Sequence, residues 1–201
     1  MFSQFSSTFI LQFMIIMKKI RCGWCEKDDL CRQYHDEEWG RPVYDDKTLF
    51  EFLILESFQA GLSWYTILSK RQNFRKAFDD FDYRKIAVYS DRKIEELMND
   101  PGIIRNRLKI TAAVTNAQKF MEIQQEFGSF SNYIWGFIGG KAIDNVPEAL
   151  SDVPATTEIS DRISKDLKKR GFKFMGSTVV YAHMQATGMV NDHIRTCFTR
   201  T

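Results

Sequence analysis

The stretch Leu55-Glu56-Ser57-Phe58-Gln59-Ala60-Gly61-Leu62-Ser63-Trp64 places a carboxylate inside the most apolar part of the chain. It directly follows the run Leu49-Phe50-Glu51-Phe52-Leu53-Ile54, so Glu56 belongs to a predicted hydrophobic helix. Burying an unpaired charge is costly, so such a residue needs either a partner or a function. An unbroken helix would bring Glu56 and Trp64 towards one face, but Gly61 leaves the continuity of that helix open.

Two interpretations of Glu56 follow from this pattern. In the first, the segment is an ordinary core helix, and Glu56 faces solvent or caps a neighbouring element. In the second, Glu56 lies in a pocket, where its carboxylate reads the edge of a flat ligand while an aromatic ring covers the ligand's face.

The composition is that of an ordinary globular protein. The chain has 201 residues, of which 44% are hydrophobic and 27% charged, enough for one domain with a substantial core or for two small lobes. The formal net charge is only +2, so a nucleic-acid partner requires a local basic patch. Four cysteines are too few for a disulfide scaffold, which favours a cytoplasmic protein with a metal site or free thiols.

Residues 1–17 differ from the rest because they are uncharged and rich in Phe, Ile and Met. They lack the basic start of a secretory signal and are shorter than the roughly 20 apolar residues that span a bilayer. Met17 resembles a natural start. We therefore expect residues 1–16 to be an extension outside the core, or an artefact of start-codon choice. Residues 17–201 are expected to form a single domain without membrane association.

Helical periodicity and capping residues predict an all-α fold built from many short helices. The Gly and Asp positions between residues 21 and 40 argue against long regular structure there. The helices are predicted over 46–59, 64–70, 73–78, 86–89, 91–99, 105–127, 132–137, 160–169 and 177–187.

Cysteine and histidine spacing suggests a metal site that joins the two ends of the chain. Cys22 and His35 lie near the start, and His193 and Cys197 near the end, the latter pair spaced so that both side chains point the same way. Four Cys and His ligands would suit a structural zinc ion. Cys25 leaves an alternative open, because Cys22-x-x-Cys25 is itself a zinc or redox spacing. Ordinary thiols with surface histidines are the simpler explanation, and His183 reads as a core histidine.

A basic segment, Ser164–Gly176, combines a lysine-rich helix end with the glycine-bounded turn Gly171-Phe172-Lys173-Phe174-Met175-Gly176. A new helix is predicted immediately afterwards, and a helix N-terminus binds phosphate through free backbone N–H groups without reading sequence. A solvated charged surface is the alternative interpretation. The glycines, with Phe172 and Phe174 as expected buried anchors, favour DNA binding.

Several longer motifs resemble those of the DNA-3-methyladenine glycosylase I family over nearly the whole chain, from about Met17 to Cys197. They are Cys22-Gly-Trp24, Tyr34-His-Asp-Glu-Glu-Trp-Gly40, the Leu55–Trp64 stretch, Gly102-Ile-Ile-Arg-Asn-Arg-Leu-Lys-Ile110, Lys168-Lys-Arg-Gly-Phe-Lys-Phe174 and Val190-Asn-Asp-His193. The resemblance implies a helix-hairpin-helix base-excision fold. It also implies a structural zinc ion that joins the termini through Cys22, His35, His193 and Cys197, and it leaves Cys25 and Cys31 outside that site.

The resemblance further implies a monofunctional hydrolase that flips 3-methyladenine out of alkylated double-stranded DNA and releases it. Tyr34 and Trp64 match the residues that stack on the base, Trp24 is expected in the same wall, and Glu56 is assigned base recognition and the catalytic role. Lys173, with Gly171 and Gly176, is expected to hold the DNA backbone. The protein is expected to act as a monomer. Cys31 stands where the family often has Tyr, so one aromatic at the pocket edge is expected to be missing.

Other assignments remain open at this level. Asp192 is interpreted as support for the ligand His193, and Leu62 either belongs to the core or lies near the gap left by a flipped base. Two other functions are possible: a zinc-stapled module that binds damaged DNA without catalysis, and a bifunctional glycosylase-lyase with a lysine Schiff base.

Overall fold

A computed structural model describes residues 19–200 of the chain. Within this range the fold is built from ten α-helices, and the prediction of an all-α fold is confirmed. They are α1 (Asp29–Glu37), α2 (Asp46–Gln59), α3 (Trp64–Leu68), α4 (Arg71–Ala77), α5 (Tyr83–Ile86), α6 (Asp91–Asn99), α7 (Arg107–Phe127), α8 (Phe130–Gly136), α9 (Glu158–Lys169) and α10 (Ser177–Ala186). The predicted extension over residues 1–16 lies outside the described residues.

Helix α2 runs through the middle of the core. All of its residues from Leu49 to Phe58 are buried, which explains why its sequence is apolar on every face instead of amphipathic. Helices α3, α7, α8 and α10 pack around it. His183 on α10 forms a 3.0 Å hydrogen bond with the carbonyl oxygen of Leu49, so it is the core histidine that the sequence predicted.

The helix that carries Glu56 does not continue to Trp64. Helix α2 ends at Gln59, Gly61 adopts a φ of 83°, and the Ser63 hydroxyl accepts a hydrogen bond from Thr66 to cap α3. This left-handed conformation is readily adopted by glycine. Lys109 on α7 closes the end of α2 by donating to the carbonyl oxygens of Phe58 (2.9 Å) and Ala60 (2.7 Å).

Most of the predicted helices lie within a few residues of their expected bounds, and Ser90 caps α6 as predicted. Two expectations were wrong. The segment before residue 40 contains α1, which begins because the Asp28 carboxylate accepts a hydrogen bond from the Cys31 amide. Helix α5 begins three residues before the predicted 86–89 segment and ends at its first residue, because the Asp82 carboxylate caps it by accepting a hydrogen bond from the Arg84 amide.

The two ends of the described chain meet. The amide of Phe198 donates to the carbonyl oxygen of Ile20 at 2.9 Å. Close by, two short parallel strands, β1 (Ile143–Asp144) and β2 (Val190–Asn191), pair with each other. Short 3-10 helices at Gly23–Cys25, Asp79–Phe81, Leu150–Asp152 and Phe198–Arg200 complete the regular structure described.

Helices α9 and α10 pack closely and are joined by the turn 170–176. From residue 19 to residue 200, none of the helices combines the length and the apolar character needed to span a bilayer.

Candidate functional site

Two buried carboxylates on α2 have opposite surroundings. Glu51 is held by Arg71 (Nε–Oε1, 2.6 Å) and by Arg75 (2.9 Å), so its charge is compensated. Glu56 is 4% exposed, and its Oε2 atom has no hydrogen-bond partner among the described residues. Glu56 therefore neither faces solvent nor caps a neighbouring element, and the first interpretation from the sequence is excluded.

Glu56 faces a cavity of about 350 Å³. Its lining residues are Trp24, Tyr34, Trp39, Glu56, Gln59, Trp64, Leu150, Val153, Ala182 and Gln185. The structure thus brings all four predicted pocket residues to one cavity, although α2 and α3 are separate helices. The ring centroids of Tyr34 and Trp64 lie 5.2 Å apart in this lining, and those of Trp24 and Trp39 lie 5.1 Å apart.

Four polar side-chain atoms of the cavity lining are buried without hydrogen-bond partners among the residues that the structure describes. In the described part of the chain, four buried side-chain atoms lack a hydrogen-bond partner: Nε1 of Trp24, the hydroxyl of Tyr34, Oε2 of Glu56 and Nε1 of Trp64. All four belong to residues that line the cavity. Since an unsatisfied buried polar group costs about 1–3 kcal/mol, their gathering in one place indicates a site that a polar, planar ligand would complete.

Burial alone raises the pKa of Glu56 to about 8. Among residues 19–200, no arginine or lysine lines the cavity. The pocket consequently lacks a positive charge of its own and would favour a ligand that brings one.

A second cluster, the Cys/His cluster, consists of Cys22, His35, His193 and Cys197. Their ligand atoms all lie within 4.8 Å of one another, and all four residues are buried. Cys197 Sγ lies 3.4 Å from His35 Nε2 and 3.5 Å from His193 Nδ1, and Cys22 Sγ lies 3.6 Å from the same Nδ1. The structure therefore assembles the four residues that the spacing predicted.

Hydrogen bonds behind the histidines fix which ring nitrogen faces the cluster. His193 Nε2 lies 3.1 Å from the carbonyl oxygen of Trp39, and because a carbonyl only accepts, this nitrogen carries the proton and leaves Nδ1 unprotonated, as a metal ligand must be. His35 Nδ1 lies 2.9 Å from Asp36, whose carboxylate also accepts from Arg21 at 2.8 Å. Both rings are thereby oriented as metal ligands.

Asp36 takes the supporting position that the sequence had assigned to Asp192. The Asp192 carboxylate instead accepts hydrogen bonds from the Tyr181 hydroxyl (2.7 Å), Gln185 (2.8 Å) and Asn145 (2.6 Å). It thus joins α10 to the strand region, and the interpretation of Asp192 as support for His193 was wrong.

The remaining two cysteines lie outside the cluster. The Cys25 thiol donates to the carbonyl oxygen of Cys22 at 3.0 Å, and Cys31 is buried on α1. Cys31 packs in the small hydrophobic group that includes Tyr34 and Phe52 but is not among the residues that line the cavity. The expected gap in the pocket edge at Cys31 therefore stays a prediction.

The turn between α9 and α10 presents Lys173 to solvent, and Gly176 begins α10 with no side-chain cap. Phe172 is a buried anchor, as predicted. Phe174 is 39% exposed, with a φ of 57°, so its prediction as a second anchor was wrong. Leu62 is also 39% exposed, which removes the interpretation of it as a core residue.

Sequence reasoning missed several residues of the pocket and its frame. Trp39 and Gln59 stood within the quoted motifs without a role, and Gln185 carried no local signal because α10 brings it to the cavity from far along the chain. The Arg71–Glu51 ion pair was also missed, because the two residues lie on different helices and no local sequence pattern links them.

Comparisons with known proteins identify the family of the chain. The family model described as Methyladenine glycosylase matches residues 24–200. DNA-3-methyladenine glycosylase 1 of Escherichia coli (strain K12) is 46% identical over 177 residues, which cover 88% of this chain and 95% of that protein. DNA-3-methyladenine glycosylase of Haemophilus influenzae is 44% identical over 181 residues, which cover 90% of this chain and 98% of that protein.

Among solved structures, 3-methyladenine DNA glycosylase I from Staphylococcus aureus, determined to explain 3-methyladenine recognition, superimposes with a TM-score of 0.87. It shares 40% identity, and the match covers 90% of this chain and 96% of that one. The similarity thus extends over most of both chains in sequence and in structure. The chain belongs to the methyladenine glycosylase family.

Proposed function

We propose that this protein is a DNA-repair N-glycosylase that releases 3-methyladenine from alkylated double-stranded DNA. The observation that carries the proposal is the cavity in which Glu56 and three aromatic side chains present the four unpartnered buried polar atoms. Relatives named for this activity match nearly the whole chain, and one related structure was determined in complex with 3-methyladenine.

The enzyme's main tasks are to extract the methylated base from the duplex and to recognise it. Methylation at N3 gives the base a delocalised positive charge, so it is already a good leaving group. The bond between sugar and base breaks with its electrons going to the base, and water adds to the sugar carbon and loses a proton. Extrusion of the nucleotide costs a few kcal/mol, and a poorly pairing base costs least.

Glu56 is the residue that distinguishes the methylated base from adenine. A cationic purine supplies the charge that the uncompensated carboxylate lacks, so Glu56 becomes ionised beside it and accepts hydrogen bonds from the purine edge. Neutral adenine offers no such compensation. The faces of Tyr34 and Trp64, with Trp24 in the same wall, stack on the ring, each contact contributing roughly 0.5–2 kcal/mol for a cation.

DNA would be held by a helix-hairpin-helix motif formed by α9, the turn 170–176 and α10. Gly171 and Gly176 bound the turn, Lys173 projects from it, and the uncapped start of α10 leaves backbone N–H groups for a phosphate. This contact would hold damaged and undamaged duplex alike, which suits an enzyme that searches DNA for rare lesions.

A structural zinc ion would occupy the Cys/His cluster. A tetrahedral ion with ligands at about 2.0–2.3 Å separates them by roughly 3.3–3.8 Å, and the three separations of 3.4–3.6 Å between the cluster's sulfur and nitrogen atoms fit this geometry. Four protein ligands leave no open coordination position, so the ion would supply stability and no step of the reaction.

The described pocket favours hydrolysis over a lyase mechanism, because no lysine lines it. The buried Lys109 is also unsuitable, since its ammonium group is engaged by two carbonyl oxygens at the end of α2. A binding module without catalysis would share the zinc site and the turn, but it would have no need of a cavity lined by unpartnered buried polar atoms.

Incubation of the protein with methylated duplex DNA, followed by chromatography of the released bases, tests the proposal. Release of 3-methyladenine by wild type and its loss in Glu56→Gln is the expected result. Binding without release would support the module instead, and borohydride trapping of an enzyme–DNA adduct would support the lyase.

A further inference from the structure

Asn116 is a fully buried polar residue for which neither the pocket nor the Cys/His cluster has a use. It lies on α7, is 0% exposed, and its side chain reaches the turn between α9 and α10. Burying a carboxamide is costly unless its polar atoms are hydrogen-bonded. The two hydrogen bonds of Asn116 therefore indicate the role of this residue.

Both bonds go to one residue of the turn. Asn116 Oδ1 accepts from the Lys173 amide at 2.8 Å, and Nδ2 donates to the Lys173 carbonyl oxygen at 3.0 Å. The orientation of the carboxamide is forced, because a backbone amide only donates and a carbonyl only accepts. The Asn116 side chain thus satisfies both the backbone N–H and the backbone C=O of Lys173, as a paired β-strand would.

The rest of the turn is held around this pair. Ser164 on α9 donates to the carbonyl oxygen of Met175 at 2.7 Å. Gly171, with a φ of 98°, lies so close to α7 that an added Cβ would come within 3.2 Å of Lys119. Helix α7 therefore supports the turn, while Lys173 and Phe174 stay exposed and line a groove with Leu108, Thr111 and Thr115 of that helix.

We infer that Asn116 is the positioning residue of the DNA-binding turn: it fixes the backbone at Lys173 so that the ammonium group and the start of α10 meet one phosphate backbone together. The inference rests on the proposed contact between this turn and DNA. It assigns Asn116 no contact with the base or with the reacting atoms.

The experiment compares Asn116→Ala with Gln118→Ala, a matched control on the same helix. Gln118 donates its amide to the carbonyl oxygen of Ala87 at 2.8 Å, so both variants remove a tether from α7 to backbone elsewhere. Binding to methylated and unmethylated duplex is measured by fluorescence anisotropy over a range of salt concentrations, and affinity for free 3-methyladenine by tryptophan fluorescence.

Asn116→Ala should weaken binding to both duplexes about tenfold and make that binding less dependent on salt concentration. Its affinity for free 3-methyladenine should stay unchanged. Gln118→Ala should leave all of these as in wild type. The double variant with Lys173→Ala should bind no more weakly than about the weaker single variant, because both act through one contact. Equal weakening by Gln118→Ala, or full additivity, overturns the inference.

Two further outcomes separate this inference from the proposal on which it rests. If Lys173→Ala leaves duplex binding intact, the turn is not the DNA site; if only Asn116→Ala leaves it intact, the positioning role alone fails. Should Asn116→Ala not fold, Asn116→Asp replaces it: the carboxylate repels the Lys173 carbonyl, and its protonation at low pH restores a donor. Its duplex affinity relative to wild type should then rise as pH falls, and a constant ratio overturns the inference.

Discussion

At the scale of single residues, the contrast between Glu51 and Glu56 separates structural from functional acids. Both lie on one buried helix, yet two arginines compensate the first and nothing compensates the second. The sequence placed both in the same apolar run and could not distinguish them, because the compensating arginines come from α4. What singled out Glu56 was its place in the Leu55–Trp64 motif, which resembles a motif of the family.

Glu56→Gln should fold normally and lose about tenfold or more of its affinity for 3-methyladenine. The substitution keeps the shape and an acceptor oxygen but removes the carboxylate that accepts hydrogen bonds from the purine edge, and a charge-assisted hydrogen bond is worth about twice a neutral one. Titration of the free base, followed by tryptophan fluorescence or NMR, measures the loss. Unchanged affinity would remove Glu56 from the recognition site.

The same residue should make folding stability depend on pH. Because the folded protein holds the pKa of Glu56 at about 8, it keeps a proton that the unfolded chain releases above roughly pH 4.5. The contribution is fully present below that lower pKa and is lost as pH rises through 8, at about 1.4 kcal/mol per pH unit.

Urea unfolding at several pH values between 5 and 8 checks this. Wild type should lose free energy of unfolding relative to Glu56→Gln as pH rises, whereas Glu96→Gln, an exposed change on α6, should follow wild type. Parallel curves for Glu56→Gln and wild type would show that Glu56 is ionised in the free protein.

At the scale of elements, helices with strong capping residues and apolar periodicity could be predicted. Helices whose buried face carries Cys, Tyr or His in place of aliphatic residues could not. Helix α1 was missed because its buried residues are Cys31, Tyr34 and His35, which an apolar pattern does not count. Their i, i+3, i+4 spacing after Asp28 was the available signal. The tethers made by Lys109 and Asn116 were not predictable, because each depends on a carbonyl or amide that folding brings from far along the chain.

The turn between α9 and α10 should hold DNA by its backbone. Lys173→Ala is expected to weaken binding to methylated and unmethylated duplex about equally and to lower the salt slope by about one unit, because phosphate contacts carry no sequence information. Anisotropy titrations at several salt concentrations provide the measurement. Lys85→Ala, at an exposed position on α5, is the control. A loss confined to damaged DNA would contradict the assignment.

At the scale of the whole molecule, the Cys/His cluster ties the beginning of the chain to its end, and the pocket lies against it. Trp39 lines the cavity while its ring packs 4.6 Å from the His193 ring and its carbonyl oxygen meets the same residue. The sequence predicted the four cluster residues by spacing and resemblance, but not this shared wall.

The purified protein should contain one zinc ion per chain. Since binding energy at a closed site becomes folding energy, Cys197→Ser should lose the zinc and lower the melting temperature. Elemental analysis and thermal unfolding measure both. Cys25→Ser and Cys31→Ser should keep the metal, because neither thiol reaches the cluster. Zinc absent from wild type would refute the site, and zinc lost in Cys25→Ser but kept in His35→Ala would reassign its ligands.

The hydrogen bond between Ile20 and Phe198 also makes the described part of the chain nearly a closed ring. A circular permutant that joins these ends through a short linker, and opens at the exposed Gly140–Lys141 turn, should keep the same core and pocket. In that molecule the linker already holds together, in the unfolded chain, the two ends that the metal would hold together. Removing zinc should therefore cost the permutant less stability than the natural chain, since the loop-closure entropy no longer depends on the ion.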